Sequence, residues 1–236
     1  MVALKPSDAC GARLAFDLAQ DSLRAVNGAL HRQLAEVDEV VISNPAGAHA
    51  VAAGLNAPIA VTIDGHVGYY AAGMNQQANV VINGNAGTGV AENMMSGTVR
   101  VRGSASQSAG ATAHGGLLVI EGDASARCGI SMKGVDIVVG GSIGHFSAFM
   151  AQAGRLVVRG DAGDALGDSI YEARLYVRGT VASLGADCEV KTMGPAHLAE
   201  LKDLLTAAGY PDDDPASYTR YGSARKLYHF RVENTY

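Results

Sequence analysis

Aliphatic residues return along the middle of the chain every nineteen positions. One column is Val61, Val80, Val99, Leu118, Ile137, Leu156 and Leu175. Two residues further on stand Ile63, Ile82, Val101, Ile120, Val139, Val158 and Val177. Between the second column and a following glycine lies a polar or variable position: Asp64, Asn83, Arg102, Glu121, Gly140, Arg159 and Arg178. Alternation with period two marks a short strand with one buried face. The glycines themselves form a column, Gly65, Gly84, Gly103, Gly122, Gly141, Gly160 and Gly179. Two residues after them the chain is Val, Ala or Ile (Val67 to Val181), and seven after them only Ala or Gly (Ala72 to Ala186). Each repeat therefore reads as strand, glycine turn, small-residue segment and second turn, with Gly97, Gly116 and Gly154 closing several of them.

A fixed period of this length is the mark of a solenoid. A leucine-rich repeat needs a leucine-rich signature and an Asn/Cys ladder, and neither is present. The pattern fits an all-β fold, a single-stranded right-handed β-helix of about seven 19-residue coils. Stacked at roughly 4.8 Å per coil, these make a rod of about 30–35 Å. The glycine column is expected at corners of positive φ, where Gly122→Val would strain the backbone. In this register "VVINGNAGTG" (residues 80–89) is one coil corner, although its glycines suggest a phosphate loop. It has the reverse order of the dinucleotide fingerprint and lacks the helix and acidic residue of such a site.

The repeats stop at both ends, where a solenoid needs its edges covered. Residues 1–39 read as an N-terminal cap. Leu14, Phe16 and Leu18 alternate like a strand, and a helix starts at Asp21 or Ser22 with Leu23, Val26 and Leu30 on one face. Residues 40–193 form the β-helix domain. Residues 194–236 begin with a helix that has Pro195 in its first turn, Leu198, Leu201, Leu204 and Leu205 on its apolar face, and Gly209 at its end. Thus both caps are expected to be α-helical. Beyond them, five of the nine tyrosines lie in residues 210–236. Tyr221, Arg225, Leu227, Tyr228 and Phe230 are candidates for a partner-binding arm. The alternative is that the segment packs on its own rod. On the arm reading, removing everything after Asp214 leaves the rod folded and weakens assembly.

Composition narrows the chemistry. Over 236 residues the chain is 48% hydrophobic with a formal charge of -5, which gives no basic excess for nucleic acid. Thirty glycines, four phenylalanines and no tryptophan imply a core of small and aliphatic side chains. Cys10, Cys128 and Cys188 are isolated, as expected of buried thiols in a reducing compartment. No apolar run of membrane-spanning length and no signal-peptide core occurs, so a cytoplasmic location is expected. The histidines lack metal-ligand spacing, with His66, His114 and His145 in different columns. There is no nucleophile elbow. Position 2 is Val2, so the terminal cysteine of glutamine-hydrolysing domains is not in place. Asp123, Asp161, Asp164 and Asp168 could supply the carboxylate pair of a glycan-cleaving β-helix, but Asp123 and Asp161 directly follow the turn glycine, where Asp is common for local reasons. Neither a catalytic, a metal nor a cofactor-binding residue is expected in this chain.

The stretches "GNAGTGVAENMMSGTVRVRG" and "GSIGHFSAFMAQAGRLVVRGDAGDALG" resemble the GXGXG β-helix domain. That domain closes the large subunit of glutamate synthase and recurs as the β-helix subunit of formylmethanofuran dehydrogenase. The resemblance covers residues 40–192. "DSLRAVNGALHR", "VVISNPAGAHAVAAGL" and "YTRYGSARKLYHFRVEN" further resemble stand-alone glutamate-synthase-like subunits of the GlxC-like kind, among them the middle subunit of N-methylglutamate synthase. The resemblance implies a non-catalytic scaffold packed between an amidotransferase-like subunit and a synthase subunit that binds FMN and an iron–sulfur cluster. The complex would convert methylamine and L-glutamate to N-methyl-L-glutamate and ammonia. The β-helix subunit of a formylmethanofuran dehydrogenase or formyltransferase/hydrolase complex is the alternative. The "RYGSARKLYHF" tail resembles the glutamate-synthase side and argues against that alternative.

Overall fold

The computed structural model describes residues 12–225 other than positions 33 and 35. One sheet of eleven strands runs its length, in the order β1-β2-β3-β4-β5-β6-β7-β8-β9-β11-β10. The strands are β1 (Ala12–Asp17), β2 (Val37–Ser43), β3 (Ala60–Asp64), β4 (Asn79–Ile82), β5 (Thr98–Val101), β6 (Leu117–Ile120), β7 (Lys133–Val139), β8 (Ala153–Val158), β9 (Arg174–Val177), β10 (Cys188–Lys191) and β11 (Thr219–Ser223). β1 to β9 pair in parallel, each with the next. The register joins Val61, Val80, Val99, Leu118, Ile137, Leu156 and Leu175 in one line and the Ile63-to-Val177 column in another. A separate line of bridges joins Val67, Ala86, Ala105, Ala124, Ile143, Ala162 and Val181. The sequence columns are thus the stacked walls of a solenoid of about seven turns, and nearly all their side chains are buried.

Why each repeat carries a glycine is visible in the contacts between coils. The residue after the glycine is His66, Asn85, Ser104, Asp123, Ser142, Asp161 or Thr180. The first six each accept the backbone N–H of their equivalent in the next coil. His66 Nδ1 takes the Asn85 amide (2.8 Å), Asn85 Oδ1 that of Ser104 (2.8 Å), and Ser104 Oγ that of Asp123 (3.1 Å). Asp123 Oδ1 takes Ser142 (2.7 Å), Ser142 Oγ takes Asp161 (3.0 Å), and Asp161 Oδ1 takes Thr180 (2.7 Å). At Gly103, Gly122, Gly141, Gly160 and Gly179 the accepting side chain occupies the space where a Cβ would begin, and at Gly84 and all of these the backbone of the preceding column glycine also lies within 3.0 Å of it. A Cβ at Gly103 would lie 2.1 Å from Asn85 Oδ1, at Gly141 2.1 Å from Asp123 Oδ1, and at Gly179 2.3 Å from Asp161 Oδ1. The expected cause, positive φ, is corrected here. Of the seven column glycines only Gly65 has one (+138°), and Gly84, Gly103, Gly122, Gly141, Gly160 and Gly179 do not.

Left-handed backbone lies elsewhere in the coil. It recurs at every second residue of the following turn arc, for example at Tyr70, Ala72 and Met74, and again at Phe146, Ala148 and Met150. The middle position is the Ala/Gly column, where glycine carries no steric cost and alanine the smallest. The amides of this arc point alternately to the next and the previous coil: Tyr70 to Thr88, Ala72 to Val51, Met74 to Glu92 and Gln76 to Leu55. The backbone ladder therefore continues round the bend, and no polar main-chain group need be buried unpaired.

The first helix, α1 (Leu23–Leu30), is capped by Ser22, whose side chain accepts from the Ala25 amide. It buries Val26 and Leu30 against the first, irregular coil. Asn27 of this helix donates to the Ala50 carbonyl and accepts the Ala52 amide, and His31 Nε2 lies 2.7 Å from the Ala53 carbonyl. In later coils, groups like those of Ala52 and Ala53 are paired by a preceding coil. β1 and β2 are further rungs of the same sheet, Phe16 over Ile42 over Ile63. The strand placed in an N-terminal cap is thus continuous with the solenoid.

The second helix, α2 (Pro195–Ala208), starts at Pro195 and ends on Gly209 at φ 93°, as its sequence predicts. It does not lie over the end of the rod. Leu201, Leu204, Leu205 and Ala208 pack with Val119, Val138, Val157 and Tyr176, on the outer face of the sheet. The edge of β9 is instead covered by β11, antiparallel to both β9 and β10. Tyr221 of β11 is 8% exposed and belongs to the main core, and Tyr218 is buried under α2.

Two stability outcomes follow from these contacts. Gly122→Val should cost about 1–3 kcal/mol in chemical denaturation, by overpacking against Ser104 Oγ at 2.5 Å rather than by strain in φ. The chain ended after Asp214 loses β11, Tyr218 and Tyr221 together. It should melt well below the full chain, by more than the roughly 3–5 kcal/mol of one large buried aromatic; an unchanged melt would show β11 to be dispensable.

Candidate functional site

The polar residues singled out by sequence are mostly engaged in holding the coils. Asp123 and Asp161 are ladder acceptors. Asp164 accepts from Ser183 Oγ, and Asp168 from Ser169 Oγ and the Ala186 amide. The Thr180 amide and hydroxyl hold the Asp161 carboxyl below its ordinary range, the opposite of what a general acid needs. His49 Nδ1 accepts the Tyr69 amide, its ring stacked on Tyr69 at 4.4 Å. Among the described residues no group of three or more His, Cys, Asp or Glu is placed to hold a metal ion. Burial pushes the Cys128 thiol up to about 12, and burial with the Glu189 charge pushes Cys188 to about 11, away from nucleophilic thiolate character. Cys10 lies outside the described residues. No helix among them is long and apolar enough to cross a membrane.

The candidate arm divides. Tyr221 is a core residue of β11, and Arg225 forms an ion pair with Asp187. Leu227, Tyr228 and Phe230 lie outside the described residues.

Sequence reasoning missed two surfaces. The first is the charged border around α2. Arg155 Nε donates to Asp136 Oδ1 (2.6 Å), and Arg174 and the Tyr176 hydroxyl both reach Glu200. Arg100 donates to Glu121 (3.1 Å) and to the Ala208 carbonyl at the end of the helix (3.0 Å). Arg159 grips Asp213 with two bonds (2.7 and 3.0 Å) and stacks over the Tyr210 ring at 3.9 Å. The Tyr218 hydroxyl donates to the same carboxylate (2.8 Å). The signal was present in the outward strand positions, where Arg and acid gather in the coils that α2 borders, although Asp64, Arg13 and Glu39 lie outside them. The second surface is the turn arc, which carries six of the seven large hydrophobic side chains exposed among the described residues: Tyr69, Tyr70, Met74, Met95, Phe146 and Met150. Tyr70, Met74, Phe146 and Met150 have left-handed backbone and recur in two columns of the arc.

The Asp213 clasp has a pH signature. The Arg159 guanidinium lowers its pKa from the ordinary 3.8 to about 2, against the opposing effect of burial. The stabilisation is complete above the ordinary value and is lost as pH falls through the folded value. Asp213→Asn should cost about 1–3 kcal/mol at neutral pH. Denaturant melts of this variant should show less acid destabilisation between pH 3.8 and about 2 than the native chain.

No family model and no solved structure matches the chain. It is 59% identical over 221 residues to Protein GlxC of Rhizobium meliloti (strain 1021), a match covering 93% of this chain and 97% of that protein. Such identity over nearly the whole of both chains carries the β-helix and both terminal regions together. The chain belongs to the GlxC family.

Proposed function

We propose that this chain is a non-catalytic scaffold subunit of a glutamate-synthase-like complex, most specifically N-methylglutamate synthase. The observation that carries the reading is what the repeat does with its chemistry. The nominated turn carboxylates and His66 serve coil-to-coil bonds, and the charged groups of the sheet face serve the docking of α2. What the rod offers outward is fixed surface. The resemblance of residues 40–192 to the GXGXG domain supports the same role, as does membership of the GlxC family.

In this reading the rod sets the distance and orientation between an amidotransferase-like subunit and a synthase-like subunit. FMN and the iron–sulfur cluster sit in the latter. The described part of this chain has no cysteine set for a cluster, and no chemical step is assigned to it. The complex works in the cytoplasm, joining methylamine to L-glutamate with release of ammonia. Its rate depends on this chain through assembly alone, because a misplacement of about 1 Å between reacting parts can cost roughly a hundredfold.

Affinity capture of the tagged chain from its native host, followed by mass spectrometry, tests the reading. Expected are an amidotransferase-like chain and a flavoprotein with cluster cysteines, in a complex that forms N-methylglutamate. Recovery of the other subunits of a formylmethanofuran dehydrogenase, or of the chain alone, would overturn it.

A further inference from the structure

Four of the six exposed apolar side chains of the turn arc are arranged with a symmetry that the repeat does not require. Counting coils from the one that begins at Gly65, the first carries Tyr70 and Met74, and the fifth carries Phe146 and Met150, each pair in the same two columns. They are 50%, 54%, 39% and 39% exposed. Tyr69 beside the first pair is matched by His145 beside the second, and Phe146 lies edge-on to Phe149 at 6.0 Å. At about 4.8 Å per coil the two raised pairs are roughly 19 Å apart. Midway, in the third coil, the same columns hold Ser108 and Thr112, which are small and polar.

The two intervening coils differ in charge. In the second, the column that holds Tyr70 has Gly89, over which the Tyr70 ring and the Glu92 carboxylate close: a Cβ there would lie 2.7 Å from Tyr70 Cδ1 and 2.8 Å from Glu92 Oε2. In the fourth, the same column holds Arg127, exposed to solvent. Neither Glu92 nor Arg127 takes part in an ion pair among the described residues.

We propose that this arc is an isologous interface, and that its partner is a second copy of this chain lying antiparallel along the rod. A two-fold axis in the plane of the interface and across the rod, through Ser108 and Thr112, exchanges coil one with five and two with four. A closed two-fold contact needs such self-complementarity. Tyr70 and Met74 then meet the partner's Phe146 and Met150, and Arg127 of the fourth coil faces the second coil of the partner, where Glu92 supplies the opposite charge. Apolar contacts fall at the two ends, and two charge pairs flank a polar centre. The five paired coils span about 24 Å of rod and roughly 20 Å of width, the scale of the smaller specific interfaces rather than of the roughly 800 Å² per partner of a standard one. This interface leaves the α2 face and both ends of the rod free, so it goes beyond the scaffold reading and stands or falls separately.

Sedimentation velocity of the full chain alone, over a micromolar dilution series, tests the proposal. Dimers are expected. Arg127→Glu and Glu92→Arg should each raise the dimer dissociation constant at least about tenfold, without changing the melting temperature. The double variant, with the charges exchanged, should return to within about threefold of the native value. A chain that stays monomeric, a dimer indifferent to both substitutions, or a double variant without recovery would each overturn it.

Discussion

The structure rests on one contact repeated six times: a side-chain acceptor in one coil binds the backbone N–H of the next across a position with no Cβ. The acceptor must lie close over the following turn to reach that amide. Any side chain on the preceding residue would occupy the same volume, as the 2.1 Å approach of Asp123 Oδ1 to a Cβ at Gly141 shows. Glycine and acceptor are therefore a single device. It fixes the step from coil to coil, and the aliphatic columns stack in line because that step is constant. The turn arc depends on the step too, since its alternating amides find carbonyls only if the neighbouring coils are in register.

A rod held from within leaves its outer positions to vary by location. Where α2 crosses, the outward column becomes Val119, Val138, Val157 and Tyr176, bordered by arginines that grip Glu200 and Asp213. Ahead of the helix the same column holds Thr62 and Val81, only partly buried. On the arc, aromatic and methionine side chains project mainly in coils one and five, with Met95 alone between them. Local chemistry on a rigid, evenly spaced frame is what the proposed scaffold role requires.

Much of this is legible in the sequence, because a period without slips leaves columns that can be read directly. The solenoid, its buried faces and the limits of α2 at Pro195 and Gly209 come from that pattern and from ordinary helix signals. The cause of the glycine column is hidden, because the acceptor column beside it mixes His, Asn, Ser, Asp and Thr. Hydropathy sees only variation there, while hydrogen bonding sees one function. β1 and β2 escape the period because Phe16 precedes Ile42 by twenty-six residues and Val40 precedes Val61 by twenty-one. The docking site of α2 does leave a trace. In β6, "LLVI", the alternation gives way to a continuous apolar run, the sign of a strand buried on both faces. Tyr221 reads as part of an exposed arm because nothing local tells an edge-covering strand from a tail.

A double-mutant cycle between Asp123 and Gly141, followed by denaturant unfolding, tests the coupling of acceptor and glycine most directly. Gly141→Ala should cost about 1–3 kcal/mol in the native background. With Asp123→Ala already in place the same change should cost at least about 1 kcal/mol less, because the atom it displaces is gone. An equal cost in both backgrounds would mean that the glycine answers to something other than the acceptor above it, and would contradict the account.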